Sequence, residues 1–304
     1  MRISTSMLFQ QSAAKISDLQ SNLVKTQQQL STGRRILTPA DDPVAAARAL
    51  DVTQSQSVNA QYATNRQTAV SSLTTVDGVL ASVTSTLQDV KTQTVYAGNG
   101  TLSNSDRSNL AIQLSSDLDQ LLALANSTDG IGNYLFSGYQ TGTQPFVKTA
   151  TGAQYNGDQG QRQIQVDSSR QMAVSDSGQA IFQGNNQDVF KTLTDLITLL
   201  QTPVTTPAQN AALTAGLSTA NGNIDQSLNN VLTTRASVGS RLRELDSLNS
   251  SGSARDIQYS QTLSQLQDVD YAKAISQLTQ QQMTLQAAQQ SFVKIAGLSL
   301  FNYL

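Results

Sequence analysis

Two places in the chain set a serine and a lysine one helical turn apart: Ser12-Ala13-Ala14-Lys15 and Ser291-Phe292-Val293-Lys294. On a helix that spacing brings a hydroxyl nucleophile beside an amine base, the pairing that acyl transfer by serine and lysine requires. The S-D-N and K-T-G elements that accompany such a pair are absent, and both matches lie inside segments whose apolar pattern already explains them. Asp41-Asp42 is a second candidate, read as paired carboxylates for a metal or for acid–base work. Asp42 precedes Pro43, however, and this is what a helix start needs: the carboxylate caps free amides, and proline fills the first position, where no N–H is wanted. The glycines of YAGNGT (96–101) lack a following lysine and a preceding strand, so they form no phosphate loop. Arg34-Arg35 is followed by no apolar run, so it is better placed to complement the negative end of the helix before it than to serve as a twin-arginine signal. Asn99-Gly100-Thr101 and Asn126-Ser127-Thr128 match a glycosylation sequon, which matters only in a secretory pathway. None of these carries chemistry.

Composition closes other routes. The 304 residues contain no Cys, His or Trp. Zinc fingers, haem ligation, thiol catalysis and Ser-His-Asp triads are therefore excluded, and no enzyme activity, metal or cofactor is expected. Nineteen Lys and Arg stand against 21 Asp and Glu, a net charge of −2 without a basic cluster, so no nucleic-acid partner is expected. That near-neutrality, with only 13% charged residues, leaves little self-repulsion to oppose association. No run approaches the ~20 apolar residues of a membrane span, so no membrane partner is expected. The start MRISTSMLFQQSAAK lacks the apolar stretch of a secretory signal, and export would use another route.

The elements that must position these residues are mostly helices. Phe9, Ile16, Leu23 and Leu30 recur every seven residues, with Ser12, Leu19 and Thr26 on a companion line: a narrow seam that wants a partner helix. Gly33 ends this helix. After the loop ILTPADD, a helix of ~50 residues starts at Pro43, and at 1.5 Å per residue it is a rod of about 75 Å. Its stripe is Ala69, Leu73, Val76, Leu80, Val83, Leu87 and Val90. A break at YAGNGTLSNSDR leads to a third helix, about Ser105 to Asn126, antiparallel to the second. Residues 136–190 alternate β-branched with polar residues, and Tyr155-Asn156-Gly157-Asp158 offers a two-residue hairpin turn. Helix returns at about Asp188–Leu200 and again from about Ala208 to Ser250, where NSSGSARD predicts a hinge or break. Arg235 sits on that helix's core-like stripe, placed either to reach solvent or to pair with Glu244 or Asp246 of a neighbouring subunit. Tyr271, Leu278, Leu285 and Phe292 again fall seven apart, beside Ala274, Ala288 and Ile295.

The fold class that follows is mainly α: a long antiparallel helical bundle with coiled-coil character, paired N- and C-terminal helices and a small β-rich insertion. The expected domains are 1–42 with 255–304, a terminal coiled coil; 43–135 with 188–254, a long-helix bundle; and 136–187, the insertion. Both terminal segments are rich in Gln, Ser and Thr and too weak to be helical without packing. Even paired, they leave apolar residues uncovered, with Phe301 and Leu304 adding to that surface. The ends are thus expected to be loose alone and to order against neighbouring subunits.

The stretch LSTGRRILTPADDPVAAARAL (Leu30 to Leu50) resembles the N-terminal block of the flagellin family. The start MRISTSMLFQQS, the end GLSLFNYL and GNYLFSGYQTGTQPF (132–146) are similar to the branch of that family found where hook and filament join. The resemblance implies an extracellular subunit exported through the flagellum's own type III apparatus, held by an export chaperone beforehand. It implies a ring made with copies of itself, set between the first hook-associated protein and the flagellin filament. By the same resemblance, Phe9, Ile16, Leu19, Leu23 and Leu30, with Leu278, Leu285, Phe292, Ile295, Leu298, Leu300, Phe301 and Leu304, would be inner-tube assembly contacts. Asp41, Asp42 and Pro43 would mark the junction to the next layer, and the insertion would face outward. The rival readings are flagellin itself, which grows long filaments from a seed, and a signalling coiled coil, against which the insertion and the lack of a membrane span argue.

Overall fold

The computed structural model describes residues 5–297. In chain order the elements are α1 (Thr5–Thr32), α2 (Pro43–Ala97), α3 (Asn104–Ala125), β1 (Phe146–Thr149), β2 (Gly152–Tyr155), β3 (Gln163–Asp167), β4 (Arg170–Ala173), α4 (Gly178–Phe182), α5 (Val189–Gln201), α6 (Pro207–Gln267) and α7 (Tyr271–Gly297). The fold is mainly helical, with two small antiparallel hairpins, and the first and last helices pack against each other. Among the described residues, those up to Val58 and from Ala254 form one compact unit, and Asn59–Ser253 form another.

The helix ends are written locally. Asp42 Oδ1 accepts from the Ala45 amide at 3.0 Å and Pro43 opens α2, so one carboxylate satisfies a donor that the first turn leaves free. Ser103 and Asp106 form a reciprocal capping box at the start of α3. Asp188 caps α5 through the amides of Phe190 and Lys191. Gly33 ends α1 with φ of 70°, a conformation that a side chain resists.

In the Asn59–Ser253 unit the α2 stripe from Ala69 to Val90 is sealed, each of its seven residues at most 1% exposed. Full burial of such a side chain contributes roughly 1.5–3 kcal/mol. Opposite it lie Ile224, Val231, Val238 and Leu245 of α6. Polar pairs show the direction: Asn59 reaches Gly252, Arg66 reaches Asn249, Asp77 meets Arg235, and Lys91 meets Asp225. Numbers rise along α2 as they fall along α6, so the helices are antiparallel. On α3, Leu110, Leu114, Leu118 and Leu121 complete this core, and α3 packs on α5.

An aromatic cluster joins the insertion to α5. Phe146 of β1 lies 5.0–5.4 Å, ring to ring, from Tyr155, Phe182 and Phe190. Two arginine–carboxylate forks tie the insertion to the bundle. Arg241 of α6 grips Asp176 through two bonds of 2.9 Å, largely buried, and Arg170 of β4 grips Glu244 of α6 at 2.6 and 2.8 Å.

Three expectations are corrected. The Asn156-Gly157 pair does not turn a hairpin: β1 turns into β2 at residues 150–151, and β3 into β4 at 168–169. Tyr155 is the reason, because its hydroxyl is spent on the carbonyls of Phe136 and Asp158 and binds the chain after β2 to a neighbouring loop. NSSGSARD is not a break: α6 runs through it, and Gly252 is buried beneath the Arg66 guanidinium instead. Arg235 needs no neighbouring subunit, since Asp77 of α2 takes it at 3.0 Å, while Glu244 is held by Arg170.

Candidate assembly interface

The terminal unit is built on an antiparallel pair, α1 against α7, with the Phe9 and Phe292 rings tilted against each other at 4.8 Å near one end and Gly33 against Val269 at the other. Ile16, Leu19, Leu23 and Leu30 of α1 and Leu278, Leu285 and Phe292 of α7 face the seam, yet all are only half-buried. Among the described residues of the two helices only Thr26 and Ala274 are fully buried. Phe9 keeps 50% of its surface in water. Two helices cover one stripe each, and a seam with no third helix above it stays wet on one side. Ile295 lies in α7, but its side chain is outside the described set, as are Leu298, Leu300, Phe301 and Leu304 altogether.

A second apolar set points away from the seam. Ile275, Met283 and Val293 of α7 and Met7 and Val24 of α1 are all about half exposed or more. Val44 and Leu50 on the first turns of α2 and Ile257 on α6 are exposed as well. Singly exposed apolar residues are unremarkable on a protein surface, but here they recur along every helix of one unit.

The loop between α1 and α2 is organised by its acids. Asp41 accepts from the amides of Leu37 and Thr38 at 3.0 and 2.9 Å and pairs with Lys25 of α1 at 2.5 Å. The Lys25 ammonium, with these amides, holds the Asp41 carboxyl down at about 2. The Asp42 carboxyl is also lowered, first by the Ala45 amide and then by Arg35. Both carboxylates are thus spent on structure, and Pro43 beside them opens α2. Arg35 was missed as a site by sequence reasoning, which aimed it at the end of α1. Its guanidinium instead donates to the Leu266 carbonyl at 2.8 Å, at the end of α6, and to Asp42 at 3.2 Å. No local pattern relates residue 35 to residue 266.

The serine–lysine candidates meet in space but are not built for catalysis. Ser12, Lys15 and Ser291 line one shallow cleft of about 280 Å³ between α1 and α7. A lysine serves as a base where desolvation strips its charge. Lys15 is 81% exposed and sits 4.0 Å from Asp18, so it has no such enclosure. Asn126 bridges both polar groups of Phe146 with its own amide at 2.9 Å, which uses that sequon side chain for packing. Among the described residues no cluster suited to a metal occurs.

The surface is thus weakly sealed and carried by the first and last helices. Residues 3–141 match the bacterial flagellin N-terminal helical region and residues 222–304 the bacterial flagellin C-terminal helical region. The chain belongs to the bacterial flagellin family, whose members are structural parts of the flagellum and not enzymes. It is 40% identical to Flagellar hook-associated protein 3 of Escherichia coli (strain K12), over 99% of both chains. Its fold is shared with flagellar hook associated protein-3 of Legionella pneumophila, with a TM-score of 0.68 at 22% identity, covering 71% of this chain and 98% of that one. Flagellin of Escherichia coli (strain K12) is 33% identical over only 37% of this chain and 23% of its own length.

Proposed function

We propose that this chain forms the junction between hook-associated protein 1 and the flagellin filament, as a ring of its own copies. The observation that carries this reading is the half-covered α1–α7 seam, which neighbouring subunits would complete. The full-length likeness to hook-associated protein 3, against the partial likeness to flagellin, favours a junction over a bulk filament subunit. In this reading the terminal pair lines the inner tube, the long helices form the layer outside it, and residues 136–187 face outward. Asp41, Asp42 and Pro43 mark the step between layers. Export runs through the flagellar type III apparatus with a chaperone holding the chain beforehand.

Sedimentation of the full chain, beside a version lacking residues 1–40 and 260–304, with and without flagellin fragments, tests it. A monomer that adds to filament ends, or seeds their growth, only when its termini are present supports the junction. Unlimited filaments from the chain alone would identify a flagellin. Equal behaviour of the truncated chain would remove the role of the terminal helices.

A further inference from the structure

The joint between α6 and α7 has no local cause. Its residues, Gln267-Asp268-Val269-Asp270-Tyr271, include neither proline nor glycine, the two residues that ordinarily stop a helix. Asp270 starts α7 well, accepting from the Lys273 amide at 3.1 Å, but a good start does not by itself end the helix before it. What meets α6 at its end is a strap from the other end of the chain. The Arg35 amide donates to the Gln267 carbonyl at 2.6 Å and its guanidinium to the Leu266 carbonyl at 2.8 Å. The Val269 amide donates to the Gly33 carbonyl at 2.9 Å, and Arg34 and Asp268 pair as an antiparallel bridge.

Carbonyls at a helix end must find donors other than the next turn. Here Arg35 supplies both, and the amide that would have continued the helix, that of Val269, is diverted to Gly33. The strap is itself fastened. The Gln29 side chain donates to the Arg35 carbonyl at 2.6 Å, and Asp42, capping α2, holds the second arm of the guanidinium. Lys25 and Asp41 pin the loop between them.

We propose that Arg35 is the positioning residue for the assembly surface: the docked strap makes the α6–α7 break, and without it α6 runs on into α7 as one helix, which removes the antiparallel α1–α7 pair. The consequence for assembly rests on the junction reading above, whereas the break itself does not. One residue joins three helix ends, α2 and α6 through its guanidinium and α1 through its carbonyl, so the surface forms only when all three are in register. Lysine cannot replace Arg35 fully, because a point charge does not fork between Leu266 and Asp42.

Amide exchange on the full-length monomer reads the break directly. In Arg35→Ala, the Val269 amide should change partner. The amides of Asp270, Tyr271 and Ala272, which open α7 with no turn before them, should gain protection as they bond back to residues 266–268. Loss of protection throughout 264–275 would mean simple fraying and would overturn the proposal. A second variant separates the strap's effect from any direct contact of Arg35 with a neighbour. Val269→Pro removes the amide that would continue α6 and pushes Asp268 out of the helical region, which enforces the break without the strap. Arg35→Ala should lose addition to filament ends, Arg35→Lys should retain part of it, and Arg35→Ala with Val269→Pro should recover it. Failure of that recovery, with the single variant folded, would overturn the positioning role. If the wild-type chain itself does not add to filament ends, the junction reading fails, while the exchange result still decides the strap.

Discussion

At the scale of single residues, the acids and arginines of this protein hold backbone in place. Asp41 is the clearest case. Its carboxyl sits at about 2, below the ordinary aspartate value near 3.9, so what its ionised form contributes is fully present above that ordinary value and is lost as pH falls toward 2. Carbon-detected titration of Asp41 should show that low midpoint, with the amides of Leu37 and Thr38 moving together with it; a midpoint near 4 would remove the bonds described. Gly252 makes the opposite kind of prediction. A Cβ there would lie 2.4 Å from Nη2 of Arg66, itself held by Asn249 and the Val166 carbonyl and therefore unable to swing aside cheaply. Gly252→Ala should cost about 1–3 kcal/mol of stability in denaturant melts, the range for overpacking a tight site. An unchanged midpoint would show that Arg66 has room to move.

Among elements, the contrast lies between α2 with α6 and α1 with α7. The first pair is sealed over the stripe from Ala69 to Val90, and the second is covered on one side only. Leu80→Ala should therefore cost the ~2–5 kcal/mol of a buried leucine with its cavity. Leu285→Ala, whose side chain is already half in water, should cost about 1 kcal/mol or less in the monomer. Its effect should appear in assembly, as loss of addition to filament ends. Comparable melting shifts for the two variants would mean that the terminal seam is a core in its own right.

For the whole molecule, folding of the ends and assembly should be one process. Ordering a segment costs ~1–2 kcal/mol of backbone entropy per residue, and a half-covered seam offsets little of that. Amides of residues 5–24 and 276–297, on the parts of α1 and α7 away from the strap, should therefore exchange rapidly in the monomer, while those of the α2 stripe stay protected, and they should slow on addition to filament ends. Strong protection of both ends in the monomer would contradict an interface that forms on assembly.

The sequence by itself determined whatever is encoded within a few turns of chain. The seven-residue recurrence from Phe9 to Leu30 and from Tyr271 to Phe292, the Asp42-Pro43 start of α2, the Gly33 stop and the α2 stripe are all local patterns. The structure keeps them because each side chain acts on a neighbour three to seven residues away. Tertiary structure decided where a residue's partner comes from a distant part of the chain. It placed Gly252 in the path of a continuous helix under Arg66, turned Arg235 to Asp77 and Arg35 to Leu266, and moved the hairpin turns away from Asn156-Gly157. A glycine or an Asn-Gly pair states only what the backbone is allowed to do. Whether it does so depends on which long-range bonds and burial compete for the same segment, and those are fixed only when the helices come together.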